Sequence, residues 1–163
     1  MSAMNVRGWL VVATVLVLGA VNWSIVAKER IKTGGERIFL ALAPVDPRSL
    51  MQGDYMALRF EIVSGISATA SGSVPLRVES SGIATLNPDL TAPGLRIRYR
   101  IRNGQVWLGT NAYFFEEGTA ERYSGARYGE FRVDRDSGEA VLVGLADKDL
   151  KPMGSDPKSP NSG

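Results

Sequence analysis

The densest group of polar and turn-forming residues is Pro44-Val45-Asp46-Pro47-Arg48-Ser49-Leu50-Met51-Gln52-Gly53-Asp54-Tyr55. In one reading Asp46, Arg48, Gly53, Asp54 and Tyr55 form a recognition loop, offering carboxylates, a guanidinium and a phenol to a polar partner. In the other they form a double turn. Proline fixes φ, Asp46 and Asp54 accept from backbone amides ahead of them, and Arg48 pairs with one of the carboxylates.

A second group is Arg96, Arg98, Arg100 and Arg102. Period-two spacing places all four on one side of a strand. Trp107 can stack on one of the guanidiniums. Such a face suits anionic lipid headgroups or an acidic protein surface. It also serves as a solvated, edge-protecting face. One Trp is a poor stacking platform for nucleic acid. The net charge of only +2 adds no general basicity, so no nucleic-acid partner is expected.

Other chemistry is constrained by what the chain lacks. It has no His and no Cys, which removes the commonest neutral-pH base and the usual zinc ligands. Catalysis would rest on carboxylates, Lys, Tyr or an activated water. Glu116-Glu117 near Glu121 can be an acid/base pair, but helix surfaces commonly look like this. Asp134-Arg135-Asp136-Ser137-Gly138 resembles the start of a calcium loop, yet lacks the distal bidentate Glu and reads better as a hairpin turn. A Ser–Lys peptidase needs a lysine near its nucleophile, and no Lys occurs between Thr33 and Asp147. No P-loop, GxGxxG or GxSxG is found, and no cofactor or metal is expected.

These groups must be positioned by strands. Arg37 to Val45 reads as a first strand ending at Pro44, and Tyr55 to Val63 as another with Met56, Leu58 and Phe60 on one face. Ser64 to Ser73 reads as a mobile loop. Val74 to Leu86 holds two short strands broken by Ser80-Ser81-Gly82. Asn103-Gly104 is a type I′ hairpin signal. It pairs Arg100 with Trp107, Ile101 with Val106, Tyr99 with Leu108 and Ile97 with Thr110. Phe115 to Ala126 reads as one short helix, weakened by Gly118 and Gly125. A last hairpin joins Tyr128–Asp134 to Ala140–Leu145.

From Gly8 to Ala27 no residue is charged, and Trp9 and Trp23 lie towards the ends. About twenty helical residues span roughly 30 Å, the thickness of a hydrocarbon core, and indole rings favour its interfaces. This predicts a membrane anchor rather than a cleaved signal, because neither Ala20 nor Ala27 has a small residue two positions before it. The expected organisation is a tail (1–8), a transmembrane anchor (9–27), a linker (28–36), a β-rich domain (37–150) and a disordered tail (151–163). Lys28, Arg30, Lys32 and Arg37 on the body side, against Arg7, place the body in the cytoplasm by the positive-inside rule.

Gly53-Asp54-Tyr55-Met56-Ala57-Leu58-Arg59-Phe60 resembles the signature of the bacterial GDYXXLXY protein family, with Phe60 where the pattern ends in Tyr. Ala43 to Leu50, Trp107 to Ala112 and Tyr128 to Val133 fit the same family. The resemblance implies a membrane-anchored protein without an assigned reaction, often encoded beside or fused to multi-pass membrane proteins. It implies a multi-pass partner and a periplasmic body at the inner membrane, against the charge rule.

The expected fold is therefore mainly β. It comprises an N-terminal transmembrane helix and a small antiparallel β-sandwich or partly open barrel with one short helix. The leading function is a membrane-anchored accessory or interaction domain. The alternatives are an envelope hydrolase using Asp54, Tyr55 and a second carboxylate such as Glu117, and a binder of anionic lipid or a small ligand.

Overall fold

The computed structural model describes residues 6–43, 51–52, 55–67 and 69–154 of the 163-residue chain. Among the described residues one α-helix, α1 (Val6–Gly34), precedes the strands β1 (Glu36–Ala41), β2 (Met51–Gln52), β3 (Tyr55–Ala57), β4 (Gly72–Val78), β5 (Ala84–Leu86), β6 (Arg96–Arg102), β7 (Gln105–Trp107), β8 (Ala112–Phe114), β9 (Tyr128–Val133), β10 (Ala140–Ala146) and β11 (Pro152–Met153).

The segment Gly8–Gly34 of α1 is long and apolar enough to cross a membrane, with a mean hydropathy of 2.2 in its apolar stretch. Leu10, Val15, Leu16, Leu18 and Trp23 are all exposed, so this surface has no cover within the chain. The helix does not end with the apolar run. Lys28, Glu29, Arg30 and Lys32 are good helix formers, and they carry α1 to Gly34. Residues 28–34, expected as linker, are helical.

The junction with the body is short and fixed. Ile31 is buried at 7 % exposure, and the last turns of α1 lie against β9 and β10. Gly35 N–H donates to the Ile31 carbonyl at 2.9 Å. A Cβ on Gly35 would stand 2.5 Å from that same oxygen, so glycine lets the chain leave the helix and enter β1 at once. Arg132 Nη1 donates to the Gly35 carbonyl at 3.3 Å. Lys28 pairs with Glu139, and Arg135 pairs with Glu36 at 2.6 Å. Each exposed pair contributes little by itself, and only Lys28–Glu139 links α1 to the body; the buried Ile31 and the one-residue connection at Gly35 set how the helix meets the barrel.

The strands form three antiparallel sheets, ordered β1-β9-β10-β11, β2-β3-β8 and β5-β4-β6-β7. They are stitched edge to edge. Phe39 N–H donates to the Gly82 carbonyl at 2.9 Å, joining β1 to the start of β5. A bridge between Leu42 and Phe60 joins β1 to the β3 segment. Arg98 N–H donates to the Gly138 carbonyl at 2.7 Å, so the β9–β10 turn closes on β6. The result is a curled, partly open barrel, the second of the two architectures expected.

Alternation fills its interior. Gly129, Phe131 and Val133 of β9 face inward while Tyr128, Glu130 and Arg132 are more open. Ile97 and Tyr99 of β6 do the same between exposed arginines. With Ile38, Leu40, Leu58, Leu108 and Leu145 these side chains form one core. Met56, Leu58 and Phe60 are all buried, as their spacing predicts.

Several expected elements differ. The Tyr55–Val63 strand is regular only to Ala57, and Glu61–Gly65 turns as a 3-10 helix, taking up the start of the predicted mobile loop. The Phe115–Ala126 helix shrinks to one 3-10 turn, Ala120–Tyr123, because Gly118 takes φ 79°, outside the helical range. Pro152–Met153, expected in a disordered tail, pairs with Leu145 and Ala146.

The last hairpin turn behaves as its composition predicts. Asp134 Oδ1 accepts from Ser137 N–H and Ser137 Oγ, each at 2.7 Å. These bonds, the backbone one first, hold the Asp134 carboxyl below the usual carboxylate range. A depressed carboxyl stabilises the fold above its unfolded value of about 4, and this contribution is lost as pH falls through the folded value. Ser137→Ala should therefore lower stability at pH 7. Its denaturation curve, followed by circular dichroism, should converge on that of the parent chain as the pH falls from about 4 through the depressed folded value of Asp134.

Candidate functional site: a cationic cleft at the helix–barrel junction

The Asn103-Gly104 turn builds the site. Asn103 and Gly104 take φ of 51° and 72°, the positive values a type I′ turn demands. Arg102 then pairs with Gln105, Ile101 with Val106 and Arg100 with Trp107. The expected further pairs of Tyr99 with Leu108 and Ile97 with Thr110 do not form. Gly109 takes φ 78°, and a Cβ there would lie 2.7 Å from the Ala140 carbonyl oxygen. The chain turns at Gly109 under β10, and the freed edge of β6 receives the Gly138 carbonyl instead.

This swap brings two distant segments together. Arg98, Arg100, Arg102 and Trp107 from the hairpin, Lys28 from α1, and Gly109, Glu139 and Ala140 line one small cleft of about 80 Å³. Four cations face one carboxylate, and that carboxylate already pairs with Lys28. Among the described residues no ion pair involves Arg98, Arg100 or Arg102. The Arg102 guanidinium lies 5.6 Å from the centre of the Trp107 ring, within cation–π range. Trp107 Nε1 is buried without a hydrogen-bond partner. An unpaired buried donor costs about 1–3 kcal/mol, a penalty the fold carries at this position.

Arg96 stands apart from this group. Its guanidinium donates to the Ser73 carbonyl at 3.0 Å, to Ser73 Oγ at 3.2 Å and to the Leu90 carbonyl at 3.3 Å. It ties β6 to β4 and the loop before β6. Lys28 and Glu139 were not foreseen as site residues, being far from the stripe in sequence.

Of the other predicted group, Asp46, Arg48, Gly53 and Asp54 lie outside the described residues. Tyr55 opens β3, opposite Phe114 of β8, and the two rings lie 5.8 Å apart. Phe114 is 74 % exposed, the largest apolar ring on the barrel surface to be so open. Glu116 and Glu117 follow it on an exposed turn. Beneath them Tyr113 and Tyr123 meet edge to face at 5.3 Å. Burial, with the charge and hydrogen bond of Tyr123, pushes the Tyr113 hydroxyl up to about 12. No group of three or more acidic residues suited to a metal ion occurs among the described residues.

A solitary apolar helix running directly into a partly open antiparallel barrel, with a cationic cleft where the two meet, defines a helix-led β-barrel domain. The GDYXXLXY protein family model matches residues 17–145, from mid-helix to the end of the core strands. The chain belongs to this family. No match was found among curated proteins or solved structures.

Proposed function

We propose that the chain is a single-pass, membrane-anchored accessory domain of a bacterial inner membrane, holding its barrel against the bilayer to contact a multi-pass membrane protein. The observation carrying this reading is the exposed apolar helix that enters the barrel through Gly35 alone. A flexible tether would let the body diffuse away from the surface; this junction keeps it there at a set angle. The anchor then spans residues 9–27, the barrel runs from β1 to β11 (36–153), and residues 28–34 form a rigid stalk.

The exposed Phe114 ring, packed against the half-buried Tyr55, supplies the contact surface, and Asp46, Arg48 and Asp54, which precede Tyr55 in sequence, are proposed to contribute to it. Aromatic and Arg residues dominate such contacts energetically. Family membership supports a body outside the cytoplasm. A phosphatase fused after Gly163 should be active and a fluorescent-protein fusion dark; the reverse pattern would put the barrel inside.

The partner contact is tested by purification in mild detergent from the native membrane. The parent chain should carry a multi-pass protein. Phe114→Ser combined with Arg48→Ala should lose it while the barrel keeps its melting transition. A chain that purifies alone, or a partner indifferent to both substitutions, contradicts the reading.

A further inference from the structure

We propose that the cleft lined by Lys28, Arg98, Arg100, Arg102 and Trp107 binds one phosphate oxyanion, supplied by the headgroup of an anionic membrane lipid. The inference rests on the anchor reading above for the source of the phosphate. It does not rest on that reading for the chemistry.

The chemistry comes from the side chains. Guanidiniums are planar, permanently charged forks that match phosphate oxygens. Three of them recur at every second residue of β6, so their Cα atoms are about 7 Å apart and converge on one patch. Lys28 adds a compact charge from the helix side. The buried Trp107 Nε1 is a donor without an acceptor. The Trp107 ring itself lines the cleft, beside the Arg102 guanidinium. Glu139, also lining the cleft, is held by Lys28, which lessens its repulsion of an incoming anion.

Size and depth narrow the ligand. A cleft of about 80 Å³ exceeds the ~30 Å³ share of one water molecule and falls well short of the ~300 Å³ needed to enclose an organic substrate of ordinary size. It fits a headgroup phosphate whose remainder stays outside. Lys28 is the first charged residue after the uncharged run from Gly8. In a spanning helix that position marks the end of the hydrocarbon core, and the cleft beside it opens towards the headgroup layer just outside. Trp23, Val26 and Ala27 on the helix face Asp134, Ser137 and Glu139 of the β9–β10 turn across the adjoining surface, so the cleft opens next to the apolar end of the anchor.

The test uses the full-length chain with Trp9→Phe and Trp23→Phe, so that Trp107 alone emits. The protein is placed in vesicles of phosphatidylcholine, then in vesicles with increasing phosphatidylglycerol, at fixed 0.15 M salt. Co-flotation with pure phosphatidylcholine vesicles reports the anchor independently. The proposal expects a saturable change in Trp107 emission as phosphatidylglycerol rises. Arg98→Gln with Arg100→Gln should shift the midpoint at least about tenfold without altering the far-ultraviolet spectrum. A parallel titration of inorganic phosphate into the phosphatidylcholine sample separates the two sources. A response to inorganic phosphate but none to phosphatidylglycerol would overturn the lipid source. No response to either, or a response to phosphatidylglycerol that the double variant leaves unchanged, would overturn the site. Failure to float with phosphatidylcholine would refute the anchor.

Discussion

Phe131→Ala is expected to destabilise the barrel by about 3–5 kcal/mol, a large part of the ~5–15 kcal/mol that holds a domain of this size. Phe131 is fully buried at the centre of β9. Its ring packs against Phe60 at 5.1 Å with the planes 70° apart, the edge-to-face geometry aromatic pairs prefer. That pair joins the β1-β9-β10 sheet to the segment following β3. Truncation leaves a cavity bounded by strands that cannot collapse without breaking their ladders.

The neighbouring Gly129 shows why the site admits no added volume either. A Cβ there would lie 2.7 Å from Phe60, 3.1 Å from Leu142 and 3.2 Å from Phe131. Gly129→Ala should therefore cost about 1–3 kcal/mol by overpacking. Combining it with Phe60→Leu should cost less than the sum of the two, because the smaller side chain vacates the contact. Thermal denaturation in detergent checks both. Phe131→Ala should lower the midpoint by more than about 10 °C; a shift of a degree or two would mean that the core is not built around this pair.

The second large effect concerns α1. Leu16→Arg together with Val17→Arg puts two charges at the middle of the apolar run. Each costs about 2.5–3.5 kcal/mol at the centre of a membrane-spanning helix, and a run of this length has little hydrophobicity to spare. The double variant should leave the membrane fraction and either become extractable by alkaline carbonate or be degraded. The same two substitutions should leave the barrel's own unfolding unchanged, since Leu16 is 68 % and Val17 62 % exposed and neither touches the strands. Unaltered membrane retention would show that the helix is not what holds the protein there.

Much of this architecture is written in local pattern. Asn103-Gly104 dictates its own turn and hence the pairing of Arg100 with Trp107. The period-two burial of β6 and β9 follows from Ile97, Tyr99, Phe131 and Val133. The apolar run from Gly8 announces a long exposed helix. Features set by tertiary contact are less legible. Hydrophobicity ends at Ala27, but helical propensity does not, so the stalk reads as a linker unless the two signals are kept apart. The length of the β6–β7 hairpin is cut by Gly109, whose close approach to Ala140 belongs to another part of the chain.

The candidate site divides in the same way. The arginine stripe is visible from spacing alone. Its loss of Arg96 to Ser73 and Leu90, and its gain of Lys28 and Glu139, are products of barrel closure. The orphaned Trp107 Nε1 leaves no mark in sequence, because burial of a single atom depends on everything packed around it.

The central claim is that α1 crosses the bilayer and presents the cleft at headgroup depth. The chain has no cysteine, so single cysteines introduced at Val17 and at Ser137 can carry a spin label without background. In vesicles the Val17 label should be reached by oxygen and shielded from a water-soluble nickel complex. The Ser137 label, on the turn beside Lys28, should lie within a few ångströms of the lipid phosphates. A Val17 label freely quenched by the nickel complex, or a Ser137 label far out in the aqueous phase, would contradict the account.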